Sequence, residues 1–314
     1  MGVTVINQAG PYFTPTGAYV PSAGECFYVG SSLPAGQIGE KIADRFYTTT
    51  DKALNACVSG RGDTVYWLPG YSESIAAADA WSSLGSKTDV TCVGLGRGTN
   101  RATFIWTAAT STVLMDAANF RISNVNMYMA GSTAATDALT VAAPITASAA
   151  GCAITNSFIN FGVAADKKVT IGITTTAAAD DFLLDNLQCV SDTAAECTTF
   201  IQFVGADRSV VRNVSIQGAT SSTTVGTVRF LTTASTQIYW ENCTVQNMKA
   251  ASIHAVTSMA GVTGQVVRCN FGILDNATLA GWVPSGAGNG PQLFGCKTTN
   301  LAAENGADTT PVSA

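Results

Sequence analysis

The side chains best placed to do chemistry in this chain are two carboxylates, Asp185 and Glu241, and two arginines, Arg212 and Arg268. They fall in one column, one residue ahead of a recurring marker, which reads Thr91, Ser123, Thr155, Asp185, Arg212, Glu241, Arg268. Paired carboxylates are the equipment of glycoside hydrolysis, one protonating the leaving oxygen and the other activating water or attacking the sugar. If each marker is one coil of a stack, Asp185 and Glu241 lie about 9.6 Å apart at the strand spacing, against a limit of about 9.5 Å for inverting enzymes. The intervening Arg212 and the following Arg268 argue instead for an alternating acid–base ladder. A nearby guanidinium favours the ionised carboxylate, whereas a general acid must hold its proton. The sequence therefore predicts a salt-bridge ladder and no enzyme, with no catalytic, cofactor-binding or metal-binding residue assigned.

Other candidates reduce to turns and core. Asp180 and Asp181 share a proton only if the backbone bulges, because strand neighbours face opposite ways, so a turn is expected there. His254 is the single histidine, with no activated nucleophile in its sequence context. "GLGRG" (Gly94, Gly96, Gly98) has Thr99 where the third glycine of a dinucleotide loop belongs and no helix after it, and reads as a turn. The tripeptide Arg61–Gly62–Asp63 reads as the turn opening the first strand. The sequons at Asn213, Asn242 and Asn276 compete with structural roles for their amides. Trp67, Trp106 and Trp240 are expected in the core, with Trp81 and Trp282 in connecting segments.

Nine cysteines are an odd number lying mostly in apolar runs, so reduced buried thiols are expected. Cys189 and Cys197 lack the close spacing of a structural zinc site, and Cys269 and Cys296, stacked on successive coils, are read as reduced side chains filling Asn positions. Charged residues make up only 12% and the net charge is −5, which excludes the basic footprint of a nucleic-acid binder. No apolar run approaches membrane-spanning length, and the first residues resemble neither a signal peptide nor a myristoylation site. The chain is expected to be soluble, without a cofactor and away from membranes.

These residues need a scaffold, and the repeat supplies one. "RISNVNM", "AITNSFI", "LLDNLQC", "VVRNVSI" and "YWENCTV" centre on Asn124, Asn156, Asn186, Asn213 and Asn242, and Cys92, Cys269 and Cys296 are taken as further markers. The spacings are 32, 32, 30, 27, 29, 27 and 27 residues. Apolar residues stand two before each marker, from Val90 and Ile122 to Val267 and Phe294. A second apolar column three after it runs from Leu95 to Val245 and lapses at Gly272 and Thr299. The β-branched content and short alternation select strands over helical repeats, and Asn suits the left-handed bends between strands. The expected fold is all-β, a right-handed parallel β-helix solenoid with a short N-terminal arm and a capping helix.

Three regions follow. Residues 1–48, rich in Pro and Gly, form an arm or anchoring segment in which no coil is placed; residues 49–300 form the β-helix; residues 301–314 form a loose polar tail. "TTTDKALNACVSG" reads as the capping helix, with Thr50 as N-cap, Asp51 in the first turn and Gly60 past its end.

The stretch "GDTVYWLPGYSESI", followed by "TDVTCVGLGRGTNRATFIWTAAT", resembles pectin-lyase-like β-helix proteins of tailed-phage virions, over roughly Gly62 to Met129. The resemblance implies a structural virion component without enzymatic activity: a capsid decoration or cement protein that binds the major capsid protein, forms a homotrimer, assembles in the host cytoplasm and sits on the capsid surface. The rival it implies is a tailspike or fibre module that binds or cleaves host surface glycans.

Overall fold

Alternation of inward apolar and outward polar residues makes short strands, and the corner residues decide where they bend. The computed structural model describes residues 24–130, 138–231, 233–250, 252, 254–274 and 290–301, together with the strand segments Tyr12–Phe13, Tyr19–Val20, Trp282–Ser285 and Thr309–Pro311. Among these residues lie an 11-stranded, a 10-stranded and a 7-stranded sheet, and a coil contributes one strand to each. One such coil runs Arg121–Ser123, Val125–Met129, then Ile145–Ala147. Successive coils pair in parallel, giving a right-handed parallel β-helix of about eight turns.

The inward column of the 11-stranded sheet is Val65, Cys92, Ile122, Ile154, Leu184, Val211, Trp240, Val266 and Leu293. All but the last are buried, and each such side chain contributes about 1.5–3 kcal/mol relative to exposure. Aromatic rings extend the column across the core: Phe203 stacks on Phe230 at 5.0 Å, and Trp67 meets Phe104 edge-on at 4.8 Å.

The corner after this sheet is left-handed on coil after coil. Asn124, Asn156, Asn186, Asn213 and Asn242 have φ between 51° and 59°, and the series continues through Arg268 (52°) and Gly295 (61°). The register corrects the markers at both ends. Ile122 pairs with Cys92, so Gly94 and not Cys92 occupies the corner position. Glu241 pairs with Val267 and Val267 with Phe294, so Arg268 and Gly295 replace Cys269 and Cys296. The inward residues there are Val266 and Leu293 rather than Val267 and Phe294, and Phe271 and Thr298 rather than Gly272 and Thr299. Leu95, expected inside, is 44% exposed.

The two ends also differ from expectation. Cys26–Val29 pairs in parallel with Thr64–Trp67, so a solenoid strand stands within the segment read as an arm. Its Pro- and Gly-rich flanks hid it. At the other end Thr309–Pro311 pairs antiparallel with Lys297–Asn300 and edges the 10-stranded sheet, instead of trailing as a tail. The helix spans Thr50–Ala56, with extended Thr49 as its N-cap, and buries Ala53 and Leu54. Its first amide and the Thr50 hydroxyl are both held by the Glu73 carboxylate, which also accepts from Tyr71 Oη at 2.8 Å. Asp51 accepts from the Ser83 amide at 2.9 Å and ties the helix to the following segment.

Candidate functional site

Five residues ahead of each corner lies a second left-handed column: Asp89, Asn119, Gly151, Asp181, Arg208 and Gln237. Between the two columns runs the outer face of the 11-stranded sheet, and on it is an open groove of about 550 Å³. Its floor is Ala153, Leu183 and Val210, in register on three successive coils. Arg121, Arg208 and Arg212 stand around this floor, and Asp181 is the one acidic residue of the lining. The lining carries three positive charges and one negative, on a chain whose net charge is −5.

Each guanidinium is set differently. Arg208 forks onto Asp181, with Nε–Oδ1 at 2.8 Å and Nη2–Oδ2 at 3.0 Å, and reaches Asp180 Oδ2 at 3.2 Å. That hydrogen bonding holds the Asp181 carboxyl below the usual carboxylate range. Arg212 donates through Nη2 to Asp185 Oδ2 at 2.9 Å. Arg121 is exposed and has no acidic partner within salt-bridge reach among the described residues. Arg208 itself has φ 55°, a conformation in which a long side chain is costly and glycine is not.

Asp185, Arg212 and Glu241 do share an outer column, in register on successive coils. The expected continuous ladder does not form. It breaks into two pairs, Asp185 with Arg212 and Glu241 with Arg268, because Arg268 stands at the corner and not in the column. Asp180 and Asp181 lie in a turn, as expected, and converge on Arg208 rather than on each other. Asp63 is wholly buried and chelated by Arg61 (2.6 and 2.8 Å), so the Arg-Gly-Asp tripeptide is an internal corner. His254 leaves Nδ1 enclosed without a partner, and its carbonyl accepts from Asn247 Nδ2 at 2.9 Å. Asn213 donates to Asp185 at 3.2 Å and Asn242 accepts from Arg268 at 3.0 Å, while Asn276 lies outside the described residues.

Trp67, Trp106 and Trp240 are fully buried, and so is Trp81, although it lies in no strand; the side chain of Trp282 lies outside the described residues. Eight of the nine cysteines are buried and Cys26 is half-buried. Burial pushes the Cys57 thiol up to about 12 and that of Cys197 to about 12. Among the described residues no three His, Cys, Asp or Glu side chains converge as a metal site would require, and no helix is long and apolar enough to cross a membrane.

No protein-family profile and no curated protein matches the chain. Among solved structures it is similar to the catalytic domain of a GH87 alpha-1,3-glucanase in complex with nigerose (10% identity, TM-score 0.45, 94% of this chain and 48% of that one). It is also similar to the pectin methylesterase from Aspergillus niger (14%, TM-score 0.40, 94% and 92%). A third match is ORF18 of Geobacillus virus E2 (11%, TM-score 0.25, 80% and 56%). The chain spans about half the length of the glucanase catalytic domain. The glucanase, the esterase and a matched mannuronan C-5 epimerase module from Azotobacter vinelandii are enzymes, and the expectation of a chain without enzymatic activity is corrected accordingly. The ladder that supported it is absent as a continuous array. These similarities end at the shared architecture: the chain is a right-handed parallel β-helix.

Proposed function

We propose that this chain is a glycan-binding β-helix of the tailspike or fibre kind, which takes up an acidic host-surface polysaccharide along the outer face of its 11-stranded sheet. The supporting observation is the groove itself: an apolar floor three coils long, bordered by the guanidinium groups of Arg121, Arg208 and Arg212. Guanidinium forks suit carboxylate, sulfate and phosphate groups geometrically. Carbon faces of sugar rings suit Ala153, Leu183 and Val210. Arg121, unpaired in the described structure, is the primary anion contact. A polymer lying along the rod passes the Asp185 and Glu241 carboxylates, and a reducing-end assay on the bound polymer decides whether they act on it. Retention on acidic glycans, lost in Arg121→Glu, tests the binding reading.

A second reading, attachment to a virion through the first coils, is favoured by one feature. That part of the rod exposes Leu33 and Leu95 and carries Tyr28 stacked on Tyr66 at 5.7 Å on the outer sheet face. Capsid decoration, a homotrimer and binding to the major capsid protein belong to this reading. Electron microscopy of the particle separates the two, with copies across the head for decoration and copies at the tail for a spike.

A further inference from the structure

We propose a second saccharide subsite, for an uncharged and hydroxyl-rich sugar, around the asparagine corner from the charged groove. It rests on the glycan-binding reading and adds a separate ligand class. Here lies a groove of about 270 Å³ lined by Asn156, Phe158, Asn186, Gln188, Asn213 and Ser215, with Arg101 among the remaining residues.

Its construction is specific. The segment from Leu95 to Arg101, which the sequence suggests is only a turn, is an insertion between the corner at Gly94 and the next strand, Ala102–Trp106. Asn124 Nδ2 fixes it by donating to the carbonyls of Gly94 (2.6 Å) and Gly96 (2.9 Å), and Asn126 Nδ2 reaches Gly98 O at 3.5 Å. The insertion brings Arg101 into the groove wall. Its guanidinium forms no ion pair among the described residues, and its Nε is enclosed with no acceptor in reach.

The rest of the lining is amide, hydroxyl and aromatic. The corner ladder uses some of its hydrogen-bonding capacity: Asn186 Nδ2 donates to Asn156 Oδ1 at 2.8 Å, and Asn213 Nδ2 donates to Asp185. The carbonyl oxygens of Asn186 and Asn213 and the whole Gln188 amide remain exposed for outside partners. Phe158, tilted against Tyr128 with ring centroids 5.7 Å apart, is half-buried beside them. Amides donate and accept toward adjacent hydroxyls, and an aromatic ring covers the apolar face of a pyranose. Arg101 adds a donor toward sugar oxygens, and the amides and hydroxyls that make up the rest of the polar lining match a hydroxyl-rich sugar.

The test is titration of the intact chain with neutral hexasaccharides of α-glucan, β-glucan, mannan and galactan, following side-chain amide resonances by NMR. With at least one probe the Gln188, Asn186 and Asn213 amides shift. Gln188→Ala, with unchanged melting temperature, and Phe158→Ser, with a lower melting temperature but an intact fold by circular dichroism, each weaken that binding roughly five- to tenfold, the loss of about one net contact. Arg121→Glu leaves it intact. The subsite is rejected if no probe moves these amides at about 10 mM, beyond the weakest useful affinity, or if the shifts persist in both variants. Wild-type protein that binds an acidic polymer but no neutral probe rejects the subsite alone, and wild-type protein that binds a neutral probe but no acidic polymer rejects the charged groove alone.

Discussion

Asn186→Ala should destabilise the chain by about 2 kcal/mol, and Asn186→Gly by only about 1 kcal/mol. At φ 51° an ordinary L-residue is about 1–2 kcal/mol above its preferred conformation, a strain that Asn tolerates and Gly lacks. Both substitutions delete the 2.8 Å bond from Nδ2 to Asn156, worth about 0.5–1 kcal/mol net at an exposed site. Alanine therefore loses the bond and acquires the strain; glycine loses the bond and gains some unfolded-state entropy. Equilibrium urea unfolding measures both, and hydrogen exchange of the neighbouring coils guards against local opening in a stacked repeat. Gln188, two residues on and in extended strand, is the internal control. There Ala should be more stable than Gly by about 0.5–1 kcal/mol, reversing the sign. Equal losses for the two Asn186 variants, or Ala above Gly at both positions, would refute a backbone-driven corner.

Four further outcomes follow from particular contacts. Asp63 is a buried carboxylate; desolvation alone would raise its pKa, but Arg61 and the amides of Val58 and Glu25 outweigh it and hold it below the ordinary value. Its stabilisation is therefore complete above the unfolded-state value near 4 and lost as pH falls through the lower folded value; acid unfolding of Asp63→Asn should show a flatter low-pH limb. Gly94→Ala would drive its Cβ into the carbonyl oxygen of Asn124, so a loss of about 1–3 kcal/mol is expected in thermal or urea unfolding. In native protein a thiol reagent should label Cys26 quickly and the eight buried cysteines only as the chain unfolds, read by mass spectrometry. Arg208→Gly should leave the melting temperature unchanged or higher, because glycine accepts φ 55°, while weakening retention on acidic glycans.

The coil was legible because burial and side-chain type coincide at most positions of the repeat. Ile122, Ile154, Leu184, Val211 and Trp240 are apolar, and the corner asparagines announce themselves. Legibility failed where the corner is occupied by another residue. The requirement there is a left-handed backbone, which Arg268 and Gly295 also satisfy, while Gly94 takes the position in an extended strand; reading cysteine as the substitute shifted the register by one or two residues. Trp81 was placed in a connection because it lies in no strand, yet it fills the core against Phe104 at 5.2 Å. The charged groove has no local motif. Arg121 comes from one coil and Arg208 and Arg212 from another, and only their fixed offsets from Asn124 and Asn213 connect them. The second column of turns, five residues ahead of each corner, was the signal that could have found Arg208. Arg101 depended on recognising "GLGRGTNR" as an insertion held by Asn124, a tertiary contact that no spacing rule contains.

The most direct test of a glycan-binding β-helix is equilibrium binding of the intact chain to a panel of uronate-, sialate-, sulfate- and phosphate-bearing polysaccharides beside neutral ones, with Arg121→Glu in parallel. Wild-type protein should bind at least one acidic polymer in a salt-dependent manner, and Arg121→Glu should lose it without change in melting temperature. Failure to bind any acidic polymer, or equal binding by the variant, would contradict the account.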